Sequence, residues 1–328
     1  MNEAKYREAE ERLWASVRLA PTERFIQLPR IGTEARVQEV GDGEPVLFIH
    51  GGPNSGATWA PMVEHFPGFR CLLVDRPGTG LSEPFEVTKD NFAHFGSIFV
   101  GDVLDGLGLE SAHIVASSFG GMLALYSAAA EPAGFRRMVQ MACPAMVPGM
   151  TTPPFMRAIM IGVVRRAIGM LPPNDRANES ILRQIGHGAS LDAGRIPQTF
   201  SDWYAALQQY TDTMKNDGDM IGRFGSLRGF DRSLTIPDEV FGRVGTPTLF
   251  LWGEDDGFGG VEVAQDVVGR MPSAELVMLA ASGHLPWLDD PSGIALATAE
   301  YLRRRPSAGV DPRGTEDAID TRPPFGRW

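Results

Sequence analysis

Six short apolar runs recur along this chain: Pro45–Ile49, Cys71–Val74, Ile114–Ala116, Met138–Met141, Thr248–Trp252 and Leu276–Leu279. Each is continuous rather than alternating, as expected of a strand covered on both faces. Helical patterns fall between them, near Asn91–Gly106, Gly120–Ala130, Val261–Arg270 and Gly293–Arg304. Strands alternating with helices predict an α/β protein with a doubly wound, mainly parallel sheet. Two further strand-like runs, near Arg24–Leu28 and Ala35–Val40, are split by Pro29 to Gly32 and read as a hairpin.

One connection breaks the rhythm. The long stretch from Cys143 to Thr246 holds no strand-like run, and a structureless loop of that size is implausible in a compact domain. Met156, Ile159, Met160, Val163 and Ile168 recur at helical spacing, as do Trp203, Leu207, Tyr210 and Met214. Residues 146–240 therefore read as a helical cap inserted into a core formed by residues 23–145 and 241–305. Residues 1–22 read as a helical extension: Glu3/Arg7 and Glu8/Arg12 are spaced i,i+4, and Leu13, Trp14 and Val17 give it an apolar face. That face docks on the core, or it leaves room for a homodimer contact. The segment 306–328, rich in Pro, Gly, Asp and Arg, reads as a disordered tail.

With 328 residues, 43% of them hydrophobic, the chain can bury a large core. Its net charge of −11 offers no positive footprint for phosphate, which excludes nucleic acid as the expected partner. The longest apolar stretch, Phe155 to Leu171, is broken by Arg157, Arg165 and Arg166, so no membrane span is expected. The first residues are charged, without the apolar centre of a secretory signal. The only two cysteines, Cys71 and Cys143, lie in apolar stretches and read as free buried thiols. These features predict a cytoplasmic protein acting on a small molecule.

Four motifs carry the chemistry, each just beyond a predicted strand. Ala116-Ser-Ser118-Phe-Gly120-Gly follows a buried strand and opens a helix. A serine on such a turn projects its hydroxyl beyond the sheet edge, provided that the residues two before and two after it are small. Ser118, rather than Ser117, has those offsets. Alone, the string reads equally well as a glycine-rich helix start. His50-Gly-Gly-Pro-Asn54 is either a tight turn or a loop whose N–H groups face an oxyanion; Gly52 and Phe119 N–H are the candidate donors. His50 reads as the structural holder of that loop. Gly253-Glu-Asp-Asp256 sets carboxylates beyond a late strand, where helix capping is the plain alternative. Of the six histidines, only His284, in Ser282-Gly-His284, lies downstream of these acids. The order Ser118, Asp256, His284 gives a nucleophile, an acid and a base in a sequence that distinguishes one serine-hydrolase fold from others.

With these motifs in place, the chain resembles the α/β-hydrolase superfamily from about residue 24 to residue 305. It is similar in particular to the capped branch containing proline iminopeptidases, esterases and carbon–carbon bond hydrolases. Asp75-Arg-Pro-Gly-Thr-Gly-Leu-Ser82 resembles the D-x-R-G-x-G-x-S segment of that family, with Pro77 in place of its arginine. Asn54 and Phe119 stand where iminopeptidases usually carry glycine and tryptophan. The resemblance implies a serine hydrolase with a catalytic triad and an oxyanion hole, needing no metal or organic cofactor. The preferred substrate is a carboxylic ester or lactone of a fairly apolar molecule. The alternatives are an iminopeptidase-like aminopeptidase, a carbon–carbon bond hydrolase, and a non-catalytic ligand receptor on the same fold. The cap offers Met156, Met160, Trp203, Tyr204, Met214 and Phe224 as pocket lining. Met160, Trp203, Tyr204 and Met214 are the substrate-binding candidates, though each alone reads as well as ordinary helix core.

Overall fold

The computed structural model describes residues 1–304. The disordered tail expected at 306–328 lies outside these residues. Helix α1 (Glu3–Ser16) is followed by the hairpin β1 (Thr22–Leu28) and β2 (Thr33–Val40), then by β3 (Glu44–Ile49), α2 (Ala60–Val63), β4 (Phe69–Val74), α3 (Phe92–Leu107), β5 (Ala112–Ser117), α4 (Ser118–Ala130) and β6 (Phe135–Met141). An insertion follows with helices α5 (Pro154–Ile159), α6 (Gly162–Gly169), α7 (Asp175–Gln184), α8 (Gly188–Asp192), α9 (Gln198–Tyr210) and α10 (Thr213–Phe224). It continues through a ribbon of β7 (Gly225–Ser226) and β8 (Gly229–Phe230) and helix α11 (Asp238–Arg243). The chain returns to the sheet with β9 (Thr248–Gly253), α12 (Val261–Gly269), β10 (Ala274–Leu279), α13 (Pro286–Asp289) and α14 (Pro291–Leu302).

The main sheet has eight strands in the order β1-β2-β4-β3-β5-β6-β9-β10. Strands β1/β2 and β2/β4 pair antiparallel, and the other neighbours pair parallel. The apolar runs have a direct cause. Along β3, Leu47 and Ile49 belong to the core on one face, while Val46 and Phe48 belong to the core on the other. Strand β4 divides in the same way, with Leu72 and Val74 on the first face and Cys71 and Leu73 on the second. A strand with two dry faces has no place for polar alternation. Both cysteines are buried and unpaired.

The extension α1 closes the second face rather than standing free. Tyr6, Leu13 and Trp14 share a core with Phe200, Trp203 and Leu207 of α9. Its Glu10 reaches Arg36 of β2, and the Tyr6 hydroxyl donates to Glu10 at 2.7 Å. Arg36 lies 3.5 Å from Asp75 at the end of β4. A buried ion pair of this kind is costly to break singly, because the remaining charge is left in a dry interior. No helix among the described residues is long and apolar enough to cross a membrane.

Candidate active site

Ser118 has φ +52°, in the left-handed region that a non-glycine residue rarely adopts. Such strain persists only where the surroundings over-determine it. Here β5 ends and α4 begins at this residue, so the chain reverses over one peptide and lifts the side chain above the sheet edge. The turn is crowded. A methyl group on Gly120 would lie 2.3 Å from the Ile49 carbonyl oxygen, and one on Gly51 would lie 2.7 Å from Ser118 Cβ. Glycine at these positions lets the loop after β3 nest against the serine.

That loop and the start of α4 present the candidate oxyanion donors, Gly52 N–H and Phe119 N–H. Phe119 is the second residue of α4, so its N–H has no intrahelical acceptor. Gly52 N–H has no acceptor among the described residues. Beneath them His50 is fully buried, with Nδ1 2.6 Å from the Gly51 carbonyl oxygen. Its Nε2 lies 3.2 Å from Arg76 N–H, which can only donate, so the ring is neutral with its proton on Nδ1. Arg76 donates from Nε to the His50 carbonyl and from Nη2 to the Gly51 carbonyl, both at 3.0 Å. The same Nη2 donates at 2.8 Å to Asp217 on α10. The loop is therefore tied to the insertion by a buried ion pair. Asp75, beside Arg76, accepts from Gly56 N–H at 2.7 Å and Leu81 N–H at 3.1 Å, which explains the sequence pattern of 75–82 as a stitched turn. Burial pushes its carboxyl up to about 6, against the opposing charge of Arg36.

Burial first, and then the charge of Arg76, hold the His50 imidazole well below its usual value near 6.5. The unfolded chain therefore takes up this proton before the folded one does. The stability contributed by neutral His50 is present above about pH 6.5 and is lost as the pH falls. His113, also lowered by burial, acts in the same direction. The urea unfolding midpoint should drop between pH 7 and pH 5, and His50→Gln should reduce that drop. An equal drop in the variant would show that His50 does not contribute.

Asp256 and His284 are brought together from loops after β9 and β10. His284 Nδ1 lies 3.0 and 2.9 Å from the two carboxylate oxygens of Asp256. The carboxylate is further fixed by N–H donors from Cys143 at 2.9 Å and Phe258 at 2.8 Å. Both residues are buried, whereas Glu254 and Asp255 are exposed. Gly253 is required because a methyl there would lie 2.2 Å from the Ser282 carbonyl oxygen, where the two loops meet. The Phe258 ring packs on His284 with centroids 4.4 Å apart. The structure forms no hydrogen bond between Ser118 Oγ and His284; in unliganded enzymes such bonds are often long.

A narrow cleft, with a cavity volume of about 50 Å³ and partly open to solvent, lies over Ser118. Its floor is Gly52, Ser118, Phe119, Cys143 and Phe258, and its roof comes from Met146, Met150, Met156, Met220, Ile221, Phe224 and Phe230. Burial, and then the charge of Asp256, push the Cys143 thiol well above its ordinary range, which makes it a poor nucleophile. None of Met160, Trp203, Tyr204 and Met214 is among the lining residues. Trp203 is fully buried in the core shared with α1. Tyr204 sits beside the loop after β3, its hydroxyl 3.4 Å from the Pro53 carbonyl oxygen. Met160 is buried under the ribbon next to Gly225. Met214 shares the helical stripe of Ile221 but lies about 10 Å nearer the start of α10. Met156 and Phe224 do line the cleft.

The sheet order, the serine at the strand–helix turn and the acid–histidine pair at one sheet edge place this molecule in a known class. The family model for the alpha/beta hydrolase fold matches residues 44–291. The chain belongs to the α/β-hydrolase fold family. It is 28% identical over 298 residues to a 2-hydroxy-6-oxononadienedioate/2-hydroxy-6-oxononatrienedioate hydrolase of Burkholderia vietnamiensis, covering 86% of this chain and 96% of that protein. It is 24% identical to a 2-hydroxy-6-oxo-6-phenylhexa-2,4-dienoate hydrolase of Burkholderia cepacia, over 86% of this chain and 96% of the relative. Among solved structures it is similar to the carboxylesterase CesB of Bacillus subtilis, with a TM-score of 0.70 and 20% identity over 92% of this chain and 98% of that one.

Proposed function

We propose that this protein is a serine hydrolase that cleaves a carboxylic ester or lactone of an apolar small molecule through an acyl-enzyme. Ser118 Oγ attacks the carbonyl carbon while His284 takes its proton, and Asp256 orients and stabilises the resulting imidazolium. The carbonyl oxygen gains negative charge between the N–H groups of Gly52 and Phe119. Collapse breaks the acyl–oxygen bond, and His284 returns the proton to the departing alkoxide. Water then attacks the acyl group with His284 again as base, releasing the acid and restoring Ser118.

The observation that carries the reading is the cleft lining: among the described residues no Lys, Arg, Asp or Glu belongs to it. A dicarboxylate such as the dienedioates named for the relatives would leave its hydration shell there without gaining a cation. A neutral acyl chain loses nothing by entering. The second reading, hydrolysis of a carbon–carbon bond, is favoured by the names and nearly full-length match of the curated relatives. A panel of p-nitrophenyl esters, lactones, aminoacyl anilides and a 2-hydroxy-6-oxo-dienoate separates the possibilities. The highest kcat/KM is expected on a medium-chain ester or lactone. A dienoate turned over faster than every ester would replace this reading with the second. Within the ester series, Phe224→Ala should shift relative kcat/KM among chain lengths by about 1–3 kcal/mol for each methylene accommodated or lost. A uniform loss down to the acetate ester would contradict a lining role.

A further inference from the structure

A second buried histidine–aspartate pair stands behind the first. His187, at the turn between α7 and α8, is fully buried, and its Nδ1 lies 2.9 Å from Asp289 Oδ1. Its Nε2 accepts the Leu285 N–H at 3.0 Å. That N–H can only donate, so the ring proton sits on Nδ1 and is given to Asp289. Asp289 also accepts from Ser190 Oγ at 2.6 Å, and from Ser282 Oγ and Gly283 N–H, each at 2.9 Å. Four donors hold its carboxyl: burial alone would raise it, but the bonds from His187 and Ser190 keep it below its ordinary value.

The backbone around His284 is the object of all this bonding. Gly283 N–H goes to Asp289, His284 N–H goes to the Ile185 carbonyl at 2.9 Å, and Leu285 N–H goes to His187. Three consecutive N–H groups are thus fixed, two of them by the insertion. The fit is close: a methyl on Gly283 would lie 2.6 Å from the Ile185 carbonyl oxygen, and one on Gly186 would lie 2.1 Å from the Asp255 carbonyl oxygen. The turn 185–187 is therefore wedged between the loop that carries the base and the loop that carries the acid.

We propose that His187 is a positioning residue for His284: by accepting the Leu285 N–H it sets the backbone of the base, so the reactivity of Ser118 depends on a histidine supplied by the inserted helices. The proposal rests on the reading of His284 as the base. It needs a neutral His187, since a protonated ring would turn a donor toward the Leu285 N–H.

The test follows fluorophosphonate labelling of Ser118 in the full-length protein by intact mass, a readout of base-assisted serine reactivity that needs no known substrate. His187→Asn keeps a donor toward Asp289 but withdraws the acceptor from Leu285. His187→Gln places an amide oxygen near the Nε2 position. The maximal labelling rate should fall about tenfold or more in His187→Asn, as small misplacements of catalytic groups do, with the half-saturating concentration unchanged. His187→Gln should recover most of that rate. Asp289→Asn supplies an independent arm, because either orientation of its amide leaves a donor facing a donor, and it should also slow labelling. Circular dichroism and thermal melts select the folded variants. Wild-type labelling rates in folded His187→Asn or folded Asp289→Asn overturn the proposal, as does His187→Gln labelling as slowly as His187→Asn. If the wild-type protein itself is not labelled, the nucleophile reading fails first and this proposal falls with it.

Discussion

Ser118→Ala is expected to fold normally and to lose about six orders of magnitude in kcat on any ester the wild-type protein hydrolyses. The expectation for folding follows from the surroundings of the side chain. Its Oγ holds no hydrogen bond within the described residues, so alanine leaves no partner unsatisfied. The left-handed φ of +52° is a strain that serine already bears, and alanine adds no new clash there. The expectation for activity follows from the reaction. Without Oγ there is no acyl-enzyme, and only the oxyanion donors and the cleft remain to assist direct attack by water. In a comparable triad that residue of catalysis is about 10³–10⁴ over water. Purified mutant and wild type should be compared on the best ester of the panel, with matching thermal melts. A folded mutant that keeps a tenth of the activity would remove Ser118 from the mechanism, and with it the acyl-enzyme.

Much of this architecture is legible in the sequence, for a physical reason. Continuous apolar runs such as Val46–Ile49 arise only where both strand faces are dry, so they announced the parallel sheet. The small residues around Ser118 are readable because backbone crowding tolerates little else: a methyl on Gly120 would lie only 2.3 Å from the Ile49 carbonyl oxygen. What was not legible is which surface each inserted helix faces. Helical spacing shows that Trp203 and Leu207 share a buried side, but not that the partner is α1 rather than the cleft. Spacing alone leaves Trp203 open to either role, substrate lining or helix core, and the structure places it in the core shared with the N-terminal helix. Met220 and Ile221 roof the cleft, and nothing local in the sequence separates them from ordinary helix core.

The same limit hides pairs of distant residues. Arg76 and Asp217, or His187 and Asp289, are far apart in the chain, and nothing local in either member signals the other. Both pairs join the insertion to the core beside loops that carry candidate site residues. The first ties α10 to the oxyanion loop, and the second ties the α7–α8 turn to the base loop. Asp256 and His284, the proposed acid and base, both sit on loops, so their geometry has to be imposed from outside those loops. Under the proposed mechanism, variants in the inserted helices are expected to change rate as well as selectivity.

Asp256→Asn is the second large effect, expected to leave the fold intact and to lower kcat by about 10⁴, as the same change does in a known triad. Three carboxylates stand side by side at 254–256, and the geometry separates them. Glu254 and Asp255 are exposed, and their backbone N–H groups bond the Leu279 and Ser282 carbonyls. Only Asp256 turns inward, to His284 Nδ1 at 2.9 Å and to the N–H groups of Cys143 and Phe258. Those two N–H donors fix the carboxylate in place, and an asparagine cannot satisfy all three neighbours as donors. One of its two side-chain atoms is an amide nitrogen, which must face either a backbone N–H or the imidazole. Where it faces the imidazole it forces the tautomer with the proton on Nε2, and that tautomer cannot take a proton from Ser118. The loss should therefore appear in kcat rather than in KM, since the cleft lining is untouched. Asp255→Asn and Glu254→Gln should stay within about tenfold of wild type, because both side chains are exposed and only Asp256 bonds His284; folding is kept as well, since surface substitutions usually shift stability by no more than ~0.5 kcal/mol. The three mutants need to be assayed side by side, with circular dichroism as the control for folding. A crippled Asp255→Asn beside an active Asp256→Asn would mean that the acid works from a loop arrangement other than this one. Full activity in all three would leave His284 without an acid and would reduce the pair to a structural contact.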